Sequence, residues 1–331
     1  MINSVLDPKI NEEDVEIKEF ETSLRPKRFV DIIGRKKEKA SLKVMITAAK
    51  QRDEALDHIL LHGPPGLGKT TMAQVIAKEI GSEFFSTSGP ALEKKGDLVS
   101  ILSNIPPKGI FFIDEVHRLN KSIEELLYSA MEDRKIDIII GKGPSAHTLK
   151  LDLNSFTVIG ATTRVGLLSS PFRDRFGVDL YIDFYSYEEL EELILQKAKI
   201  LNVRILNDAA MEIAKRSRRT PRIAIRILKR VRDLAEVNKL KEINLAVAKE
   251  GMKMISIDEH GLDNLDRKIL NVMYNSFKGG PVGINTLAAS IGEDADTIRE
   301  VYEPFLITEG FIMRSPKGRV ITEKTIKYLQ T

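Results

Sequence analysis

The sequence contains no cysteine and only five histidines, which are scattered along its 331 residues. The lack of thiols excludes disulfides and thiolate metal sites, and the histidines do not have the spacing of a zinc site. A bound metal ion would therefore be held by oxygen ligands. No apolar run approaches the roughly 18 residues that cross a bilayer, and the N-terminal segment lacks the basic and apolar blocks of a signal peptide. These absences predict a cytoplasmic protein with no membrane partner.

Hydrophobic residues make up 42% of the chain and charged residues 30%, which is enough apolar material for two or three globular domains. The first 22 residues are acidic and poorly patterned, so we expect a mobile arm over 1–22. The net charge is only +3, but five basic residues follow Phe311 against the single acid Glu323. This asymmetry favours a nucleic-acid partner for the C-terminal end.

Six short apolar runs predict β-strands between residues 23 and 185: HILLHG, EFFSTS, GIFFID, KIDIII, FTVIGAT and VDLYIDF. Several are too continuously apolar to have a solvent-exposed face, and helical patterns alternate with them. This combination is typical of an α/β domain with a parallel sheet covered by helices. The turn residues in GKGPS separate two alternating segments, so 136–152 predicts a β-hairpin that projects from the sheet.

The strand signals stop after residue 185, and apolar residues keep helical spacing through 190–201 and 223–234. Thr220 is predicted to cap the second of these helices, with Pro221 in its first turn. A small all-α domain is therefore expected over 186–257. The remaining residues, 258–331, contain three helix-sized patterns near 262–277, 284–291 and 295–307, followed by two β-like runs around Ser-Pro-Lys-Gly. Three helices and a hairpin predict a winged-helix domain.

The segment GPPGLGKT, residues 63–70, has the pattern of a P-loop and lies between a predicted strand and a predicted helix. Its glycines let backbone N–H groups point at phosphates, at the positive end of the following helix. Lys69 can then reach the β- and γ-phosphates, and the Thr70 hydroxyl can complete a magnesium shell. The strand-loop-helix context favours nucleotide binding over a simple Gly-Pro turn.

Polar side chains follow two neighbouring apolar strands. The strand GIFFID ends in Asp114, with Glu115 next, and in an open parallel sheet the carboxyl ends of the strands are where ligands bind. We expect Asp114 to hold magnesium through water and Glu115 to orient or deprotonate the attacking water. Thr163, at the end of FTVIGATT, would bind that water or the γ-phosphate. His117 is expected to be structural.

The segment SSPFRDRFG, residues 169–177, places Arg175 before the last core strand, at a distance along the sheet from the P-loop strand. An arginine supplied by another molecule stabilises the charge on the γ-phosphoryl oxygens and is worth about 10³ to 10⁵ in rate. If Arg175 serves a neighbour's nucleotide, the contact repeats until a ring closes. A surface cluster of weak ion pairs is the alternative. Arg222 would report the nucleotide state by moving the helical domain against the core.

Motifs spread from Leu24 to Arg319 resemble the RuvB family of AAA+ ATPases, the bacterial motors of Holliday-junction branch migration. They are, in order, LRPKRFVDIIG, HGPPGLGKTT, TSGPALEKKGDL, FIDEVHRL, AMEDRKIDIIIGKGPSAHTLKLDL, IGATTRVGLLSSPFRDRFG, TPRIA, GGPVGINTLAASIGE and VYEPFLI. The P-loop by itself indicates only a superfamily, whereas GKGPSA and GLLSSPFRDRFG together are far more specific. The resemblance runs through all three predicted domains.

The resemblance implies an ATP/ADP site with Mg²⁺, an arginine finger at Arg175 and a sensor arginine at Arg222. It places Leu24, Arg25 and Tyr185 around the adenine base. The phosphates would be held by Gly66, Gly68, Lys69, Thr70 and Thr71, with Thr70 and Asp114 at the metal. The nucleotide-contacting segment would be Glu132, Asp133 and Arg134.

The resemblance also implies the function and its partners. The chain would form a hexameric ring that pulls duplex DNA through a four-way junction held by RuvA, in recombination and repair. The hairpin 136–152 would dock RuvA, and the RuvC resolvase would join the larger complex. Arg314 and Arg319, on either side of a tight turn, would contact the DNA backbone without reading bases.

Three residues depart from the family pattern: Arg134 replaces a frequent aromatic, Arg219 a usual glycine and Ile225 a usual asparagine. None of them removes a phosphate, magnesium or finger residue. Two alternatives are a clamp-loader-like AAA+ assembly factor that opens a sliding ring and a nucleotide-switched winged-helix transcription regulator. The predicted hairpin and head motifs fit neither.

Overall fold

The structure, a computed structural model, describes residues 24–140 and 147–330. The predicted arm 1–22 and the tip of the predicted hairpin lie outside the described residues. Within the described part of the chain, no helix has both the length and the apolar character that spanning a bilayer requires.

The core domain contains five parallel strands. The first seven strands in chain order are β1 (Ile59–His62), β2 (Phe84–Ser88), β3 (Gly109–Asp114), β4 (Lys135–Ile140), β5 (His147–Asp152), β6 (Phe156–Thr162) and β7 (Val178–Tyr181). Their order in the large sheet is β2-β3-β6-β1-β7, and every pair is parallel. The predicted parallel sheet is confirmed. Because the strands are parallel, the loops after β1, β3 and β6 meet at one edge.

The run KIDIII does not belong to this sheet. It forms β4 and pairs only with β5, antiparallel, in a separate two-stranded hairpin with Ile136 opposite Leu151. Its sequence alternates, so that Ile136 is buried while Asp137 is exposed, whereas every residue of β6 is buried. A strand with one polar side cannot occupy the interior of a sheet covered on both faces.

Helices cover both faces of the sheet. They are α1 (Lys36–Arg52), α2 (Lys69–Ile80), α3 (Lys95–Ser103), α4 (Lys121–Asp133) and the single turn α5 (Ser170–Arg173), with 3₁₀ turns at Phe29–Asp31, Gly89–Ala91, Val116–Arg118 and Val165–Leu167. On one face α1 and α2 share an apolar cluster with Leu61 and Phe112. On the other, α3 and α4 share a cluster with Phe111 and Val158.

Four helices form the helical domain, which we call the lid: α6 (Tyr187–Ile200), α7 (Asn207–Lys215), α8 (Pro221–Val237) and α9 (Leu245–Met254). The sequence patterns predicted α6 and α8. The helix α7 was not predicted because three of its four buried residues are alanines, which give a weak hydrophobic pattern. The four helices bury one apolar cluster, which also includes Leu24, Leu67 and Tyr185 from the core domain.

The C-terminal domain, which we call the head, has the predicted winged-helix elements. They are α10 (Asn264–Asn275), α11 (Ile284–Ile291), α12 (Ala295–Thr297), α13 (Glu303–Thr308), the antiparallel strands β8 (Ile312–Ser315) and β9 (Gly318–Ile321), and α14 (Glu323–Gln330). A π-helical turn, Ile298–Tyr302, joins α12 to α13. The helix α14 was not predicted; its fully buried side chain is Thr325, and Ile326 and Tyr328 pack against the apolar cluster of the head.

Candidate functional site

The P-loop connects β1 to α2 as the sequence predicts, and its three glycines, Gly63, Gly66 and Gly68, all have positive φ. Gly66 has φ +78° and Gly68, which precedes the first residue of α2, has φ +89°. A Cβ atom on Gly66 would lie 3.3 Å from Cβ of Arg222 in the lid. Glycine at 66 therefore serves both the loop conformation and the close approach of the lid. Thr70 and Thr71 lie in the first turn of α2, whose free N–H groups and positive dipole end favour a phosphate.

Lys69 is buried and folds back over its own loop. Its Nζ donates to the carbonyls of Gly63, at 2.8 Å, and Pro64, at 2.9 Å. The pKa of Lys69 is lowered to about 8, mainly by burial and also by the charge of Arg222, while the charge of Asp114 acts in the opposite direction. An anion bound beside the ammonium would favour the protonated lysine.

A hydroxyl and a carboxylate meet beside the lysine. The Thr70 hydroxyl donates to Oδ2 of Asp114 at 3.1 Å, and Oδ1 of Asp114 accepts from the backbone N–H of Glu115 at 3.0 Å. Such hard oxygen ligands suit Mg²⁺, which commonly takes one or two protein ligands and completes its shell with water and phosphate. Among the described residues there is no group of three or more His, Cys, Asp or Glu side chains that could hold a metal ion.

Glu115 follows Asp114 in a left-handed conformation, with φ +49°. Its side chain is 44% exposed and accepts a hydrogen bond from Arg118 at 3.2 Å. A non-glycine residue in this region is uncommon and is often found at functional sites. His117 shares a 2.9 Å hydrogen bond with the Thr162 hydroxyl, and burial lowers its pKa. This environment agrees with a structural role for the imidazole.

The head reaches the end of β6. The Thr163 hydroxyl donates to Oε2 of Glu300 at 3.2 Å, and Arg164 forms ion pairs with Glu300 and, at 3.0 Å, with Asp296. Both acids lie in the α12 segment and the π-helical turn of the head. The charge of Glu300 also raises the pKa of Lys69. A carboxylate of the head therefore lies close to the P-loop, a contact that sequence patterns did not reveal.

The lid contacts the P-loop through Arg222. Its backbone N–H donates to the Gly66 carbonyl at 3.4 Å. Thr220 occupies the N-cap position as predicted, but its hydroxyl donates to the Ser217 carbonyl at 3.3 Å and does not cap α8. The prediction of a Thr220 side-chain cap is therefore wrong, because the preceding turn competes for that hydroxyl.

The residues predicted around the base lie between core and lid. Leu24 and Tyr185 are buried in the same apolar cluster, and the guanidinium of Arg35 lies 4.3 Å from the Tyr185 ring centroid. Arg25 is exposed beside Leu24. Leu67 of the P-loop belongs to the same cluster, so Leu24 and Tyr185 are packed with the P-loop and the lid.

Arg219 lies where the family pattern has glycine, and the structure explains the preference. Its φ is +54°, a region that costs a side-chain-bearing residue on the order of 1 kcal/mol or more. Arg219 offsets this strain by donating from Nε to the Tyr185 carbonyl at 3.0 Å. Ile225 packs against the apolar cluster of the lid.

Arg175 has no hydrogen bond or ion pair to P-loop residues within the described chain. Its Nη2 donates to the Tyr128 hydroxyl at 2.6 Å and pairs with Oε2 of Glu132 at 2.8 Å. Asp133 is exposed at the last residue of α4, and Arg134 ends that helix with φ +54°. Arg175 and the Glu132–Arg134 segment therefore share one surface of the core domain.

Arg314 and Arg319 are cross-strand partners in the hairpin of β8 and β9, which we call the wing, and both bind Glu303. Arg314 donates one bond, from Nε at 2.7 Å, and its side chain is 59% exposed. Arg319 donates two bonds, at 2.9 and 3.0 Å, and is 16% exposed, while Glu303 is 1% exposed. Burial would raise the pKa of Glu303, but the hydrogen bonds from the two arginines together lower it. The sequence analysis assigned the same role to both arginines, but their exposure and their bonds to Glu303 differ.

An ionic cluster joins the lid to the head. Arg218, with φ +50° and almost no exposure, forms ion pairs with Asp263 and the fully buried Asp266. The rings of Tyr302 and Phe305 lie 5.1 and 5.2 Å from its guanidinium carbon. Burial raises the pKa of Asp266 to about 7, and Oδ1 of this carboxylate has no partner. No sequence pattern predicted this cluster.

Comparisons with known proteins cover the whole described chain. Residues 24–182 match the Holliday junction DNA helicase RuvB P-loop domain, residues 185–258 the RuvB AAA lid domain and residues 259–330 the RuvB C-terminal winged helix domain. The proteins named Holliday junction branch migration complex subunit RuvB from Lactobacillus gasseri and Lactobacillus johnsonii are each 53% identical over 326 residues, which are 98% of this chain and 95% of theirs. The solved Thermotoga maritima RuvB Holliday junction branch migration motor is 50% identical with a TM-score of 0.87, over 93% of this chain and 98% of that one.

Proposed function

The chain belongs to the RuvB family, and on this basis we propose that it is an ATP-driven DNA motor that pulls duplex DNA through a four-way junction. The observation that carries the proposal is that all three domains meet at the candidate nucleotide site. The lid does so through Arg222 against Gly66, and the head through Glu300 at Thr163. A change at the γ-phosphate position would therefore act on the DNA-binding domain directly.

Each polar residue of the site has a role in this proposal. Lys69 and the N–H groups that open α2 would hold the phosphates, and Glu115 would orient the attacking water and accept its proton. Thr70 and Asp114 would hold Mg²⁺, which when bound neutralises charge on the phosphates. Thr163 would position the water or the γ-phosphate after releasing Glu300.

The lid would convert the nucleotide state into motion. Arg222 is near enough to the P-loop for its guanidinium to reach the nucleotide, and its helix α8 carries the rest of the lid with it. Leu24 and Tyr185, which pack with Leu67 of the P-loop in the same apolar cluster as the lid helices, would follow the base. Binding and hydrolysis would in this way change the angle between the lid and the core.

The motor would act as a ring. Arg175, held away from its own P-loop, would be offered to the nucleotide of the next subunit, and such a heterologous contact closes into a ring, which we propose is a hexamer. The hairpin 136–152 would dock RuvA, RuvC would join the complex, and Arg314 would contact the DNA backbone together with Arg319. With these partners the protein would act in the cytoplasm.

A synthetic four-way junction tests the function. We expect the protein to dissociate it with ATP and Mg²⁺, more strongly with RuvA present, and not to dissociate a linear duplex of equal length. The Lys69→Ala variant should lose this activity because the buried ammonium is needed at the phosphates.

Two outcomes would contradict the proposal. ATP hydrolysis that leaves the junction intact even with RuvA would point to another cargo, as in a clamp-loader-like assembly factor. Very slow hydrolysis with protection of one defined sequence would point to a transcription regulator.

A further inference from the structure

The segment that carries Arg175 is fixed by two aromatic anchors. Phe172 and Phe176 are buried on either side of it, with their rings edge to face and 5.2 Å apart. Both belong to the apolar cluster that holds α4 against the sheet. The backbone of Arg175 therefore has a defined position, and only its long side chain remains to be ordered.

Two residues of α4 order that side chain. Tyr128 and Glu132 are one helical turn apart, so they lie on the same face of α4 and meet the same guanidinium. Nη2 of Arg175 donates to the Tyr128 hydroxyl at 2.6 Å and pairs with Glu132 at 2.8 Å, and the guanidinium carbon lies 4.7 Å from the Tyr128 ring centroid. Nε is inaccessible to solvent and has no partner.

These contacts leave one edge of the guanidinium free. No described residue bonds to Nη1, while the side chain as a whole is still 34% exposed. A phosphate group can approach that edge and can replace the carboxylate of Glu132, since both are anions competing for one cation. The Tyr128 hydroxyl is neutral, so it can keep its bond to Arg175 when a phosphate arrives.

We propose that Tyr128 is a positioning residue that aims Arg175 at the γ-phosphate of the neighbouring subunit. The proposal rests on the proposed function, because it requires Arg175 to act in trans. An arginine that must otherwise be ordered at the moment of reaction loses side-chain entropy, and a small displacement of a reacting group lowers the rate strongly. A hydroxyl that holds Nη2 before ATP arrives removes part of that loss.

The Tyr128→Phe variant removes the hydroxyl and keeps the ring beneath the guanidinium. Because hydrogen bonds to charged groups are the stronger ones, we expect kcat of the assembled ATPase to fall by about 10- to 100-fold. KM for ATP should stay within about twofold, since Tyr128 does not touch the subunit's own nucleotide. Tyr274→Phe, in the head, is the matched control, because its hydroxyl has no hydrogen bond to any residue that the structure describes and its loss should leave kcat unchanged.

Mixed rings separate an effect on the finger from an effect on the fold. Lys69→Ala subunits keep a normal finger, and Arg175→Ala subunits keep a normal P-loop, so a mixture of the two should hydrolyse ATP although each alone is inactive. When the double variant Lys69→Ala/Tyr128→Phe replaces Lys69→Ala in this mixture, the ATPase activity should be at least tenfold lower. Ring assembly is measured in the same samples by light scattering.

Each outcome decides the question. If Lys69→Ala does not restore Arg175→Ala subunits, the trans finger fails and the proposed ring mechanism fails with it. If it does, and the double variant restores them equally well, Tyr128 does not position the finger. A Tyr128→Phe chain that no longer assembles, or one that raises KM and leaves kcat unchanged, would also overturn the proposal.

Discussion

The two wing arginines share one buried carboxylate, and their different burial predicts that they fail in different ways. Arg319→Ala would leave Glu303, which is 1% exposed, with a single bond from Arg314, itself 59% exposed. Removing one partner of a buried ion pair costs about 3 to 5 kcal/mol. Arg314→Ala leaves both bonds from Arg319 in place, so its cost should not exceed about 1 kcal/mol.

The assay must report on the head within the full chain. Hydrogen exchange measured by mass spectrometry gives the opening free energy of head peptides separately from those of the core. In parallel, binding to a DNA duplex is measured by fluorescence anisotropy at several salt concentrations. A lost phosphate contact lowers the slope of log K against log salt by about 0.9.

We expect Arg314→Ala to keep its exchange protection and lose about one unit of salt slope, because its exposed guanidinium is available to DNA. Arg319→Ala should lose about 3 kcal/mol of protection in β8, β9 and α13, and any loss of DNA binding should follow from that. Lys317→Ala is the control, since this substitution removes a positive charge from an exposed turn residue that does not contact Glu303. Unchanged protection in Arg319→Ala, or equal losses in both arginine variants, would refute the reasoning.

Three further predictions concern the nucleotide site. Because burial lowers the pKa of Lys69 to about 8 and phosphates favour its charged form, ATP binding should take up a proton and weaken by up to about tenfold per pH unit above pH 8. Calorimetry in buffers of different ionisation enthalpy measures this uptake, and a flat pH dependence would contradict it. Arg219→Gly should change the free energy of unfolding by less than about 1 kcal/mol, because glycine relieves the left-handed strain but loses the bond to Tyr185. Arg219→Ala loses the bond and keeps the strain, so it should cost about 2 kcal/mol. Urea unfolding compares the two variants, and equal effects would count against left-handed strain. Glu300→Gln should tighten the binding of ATP several-fold more than that of ADP, because only the γ-phosphate of ATP competes with Glu300 for Thr163. Displacement of a fluorescent nucleotide measures both affinities, and Glu323→Gln is the control. Equal tightening for ATP and ADP would argue against competition at the γ-phosphate.

Local signals predicted much of the nucleotide site. The P-loop conformation follows from glycines with a flanking strand and helix, and Asp114 reaches Thr70 because parallel strands bring their carboxyl ends to one edge. The run KIDIII was predicted among the strands and also as the first arm of the hairpin 136–152, and it pairs only with β5. Burial on both faces, and not apolar content alone, distinguishes a strand of the large sheet from a strand of the hairpin.

Side-chain partners that come from distant parts of the chain could not be predicted. In the sequence, Tyr128 is an ordinary helix residue, and only the fold brings Arg175, 47 residues later, into contact with its hydroxyl. Likewise, the left-handed backbone at Arg219 has no sequence signal of its own, because arginine is not a residue that favours that region.

The contacts between domains show the same limit. Thr163 meets Glu300 across 137 residues and Arg218 meets Asp266 across 48, and these contacts bury Asp266 fully and Glu300 partly. A charged side chain read from sequence is expected to be solvated, because burying it alone is costly, and only a partner from another domain makes its burial tolerable. Asp266, whose pKa is raised to about 7 by burial, depends on Arg218 of the lid for compensation. Any rotation of the head must therefore either keep such a pair intact or expose it fully, so these joints favour discrete arrangements over gradual bending.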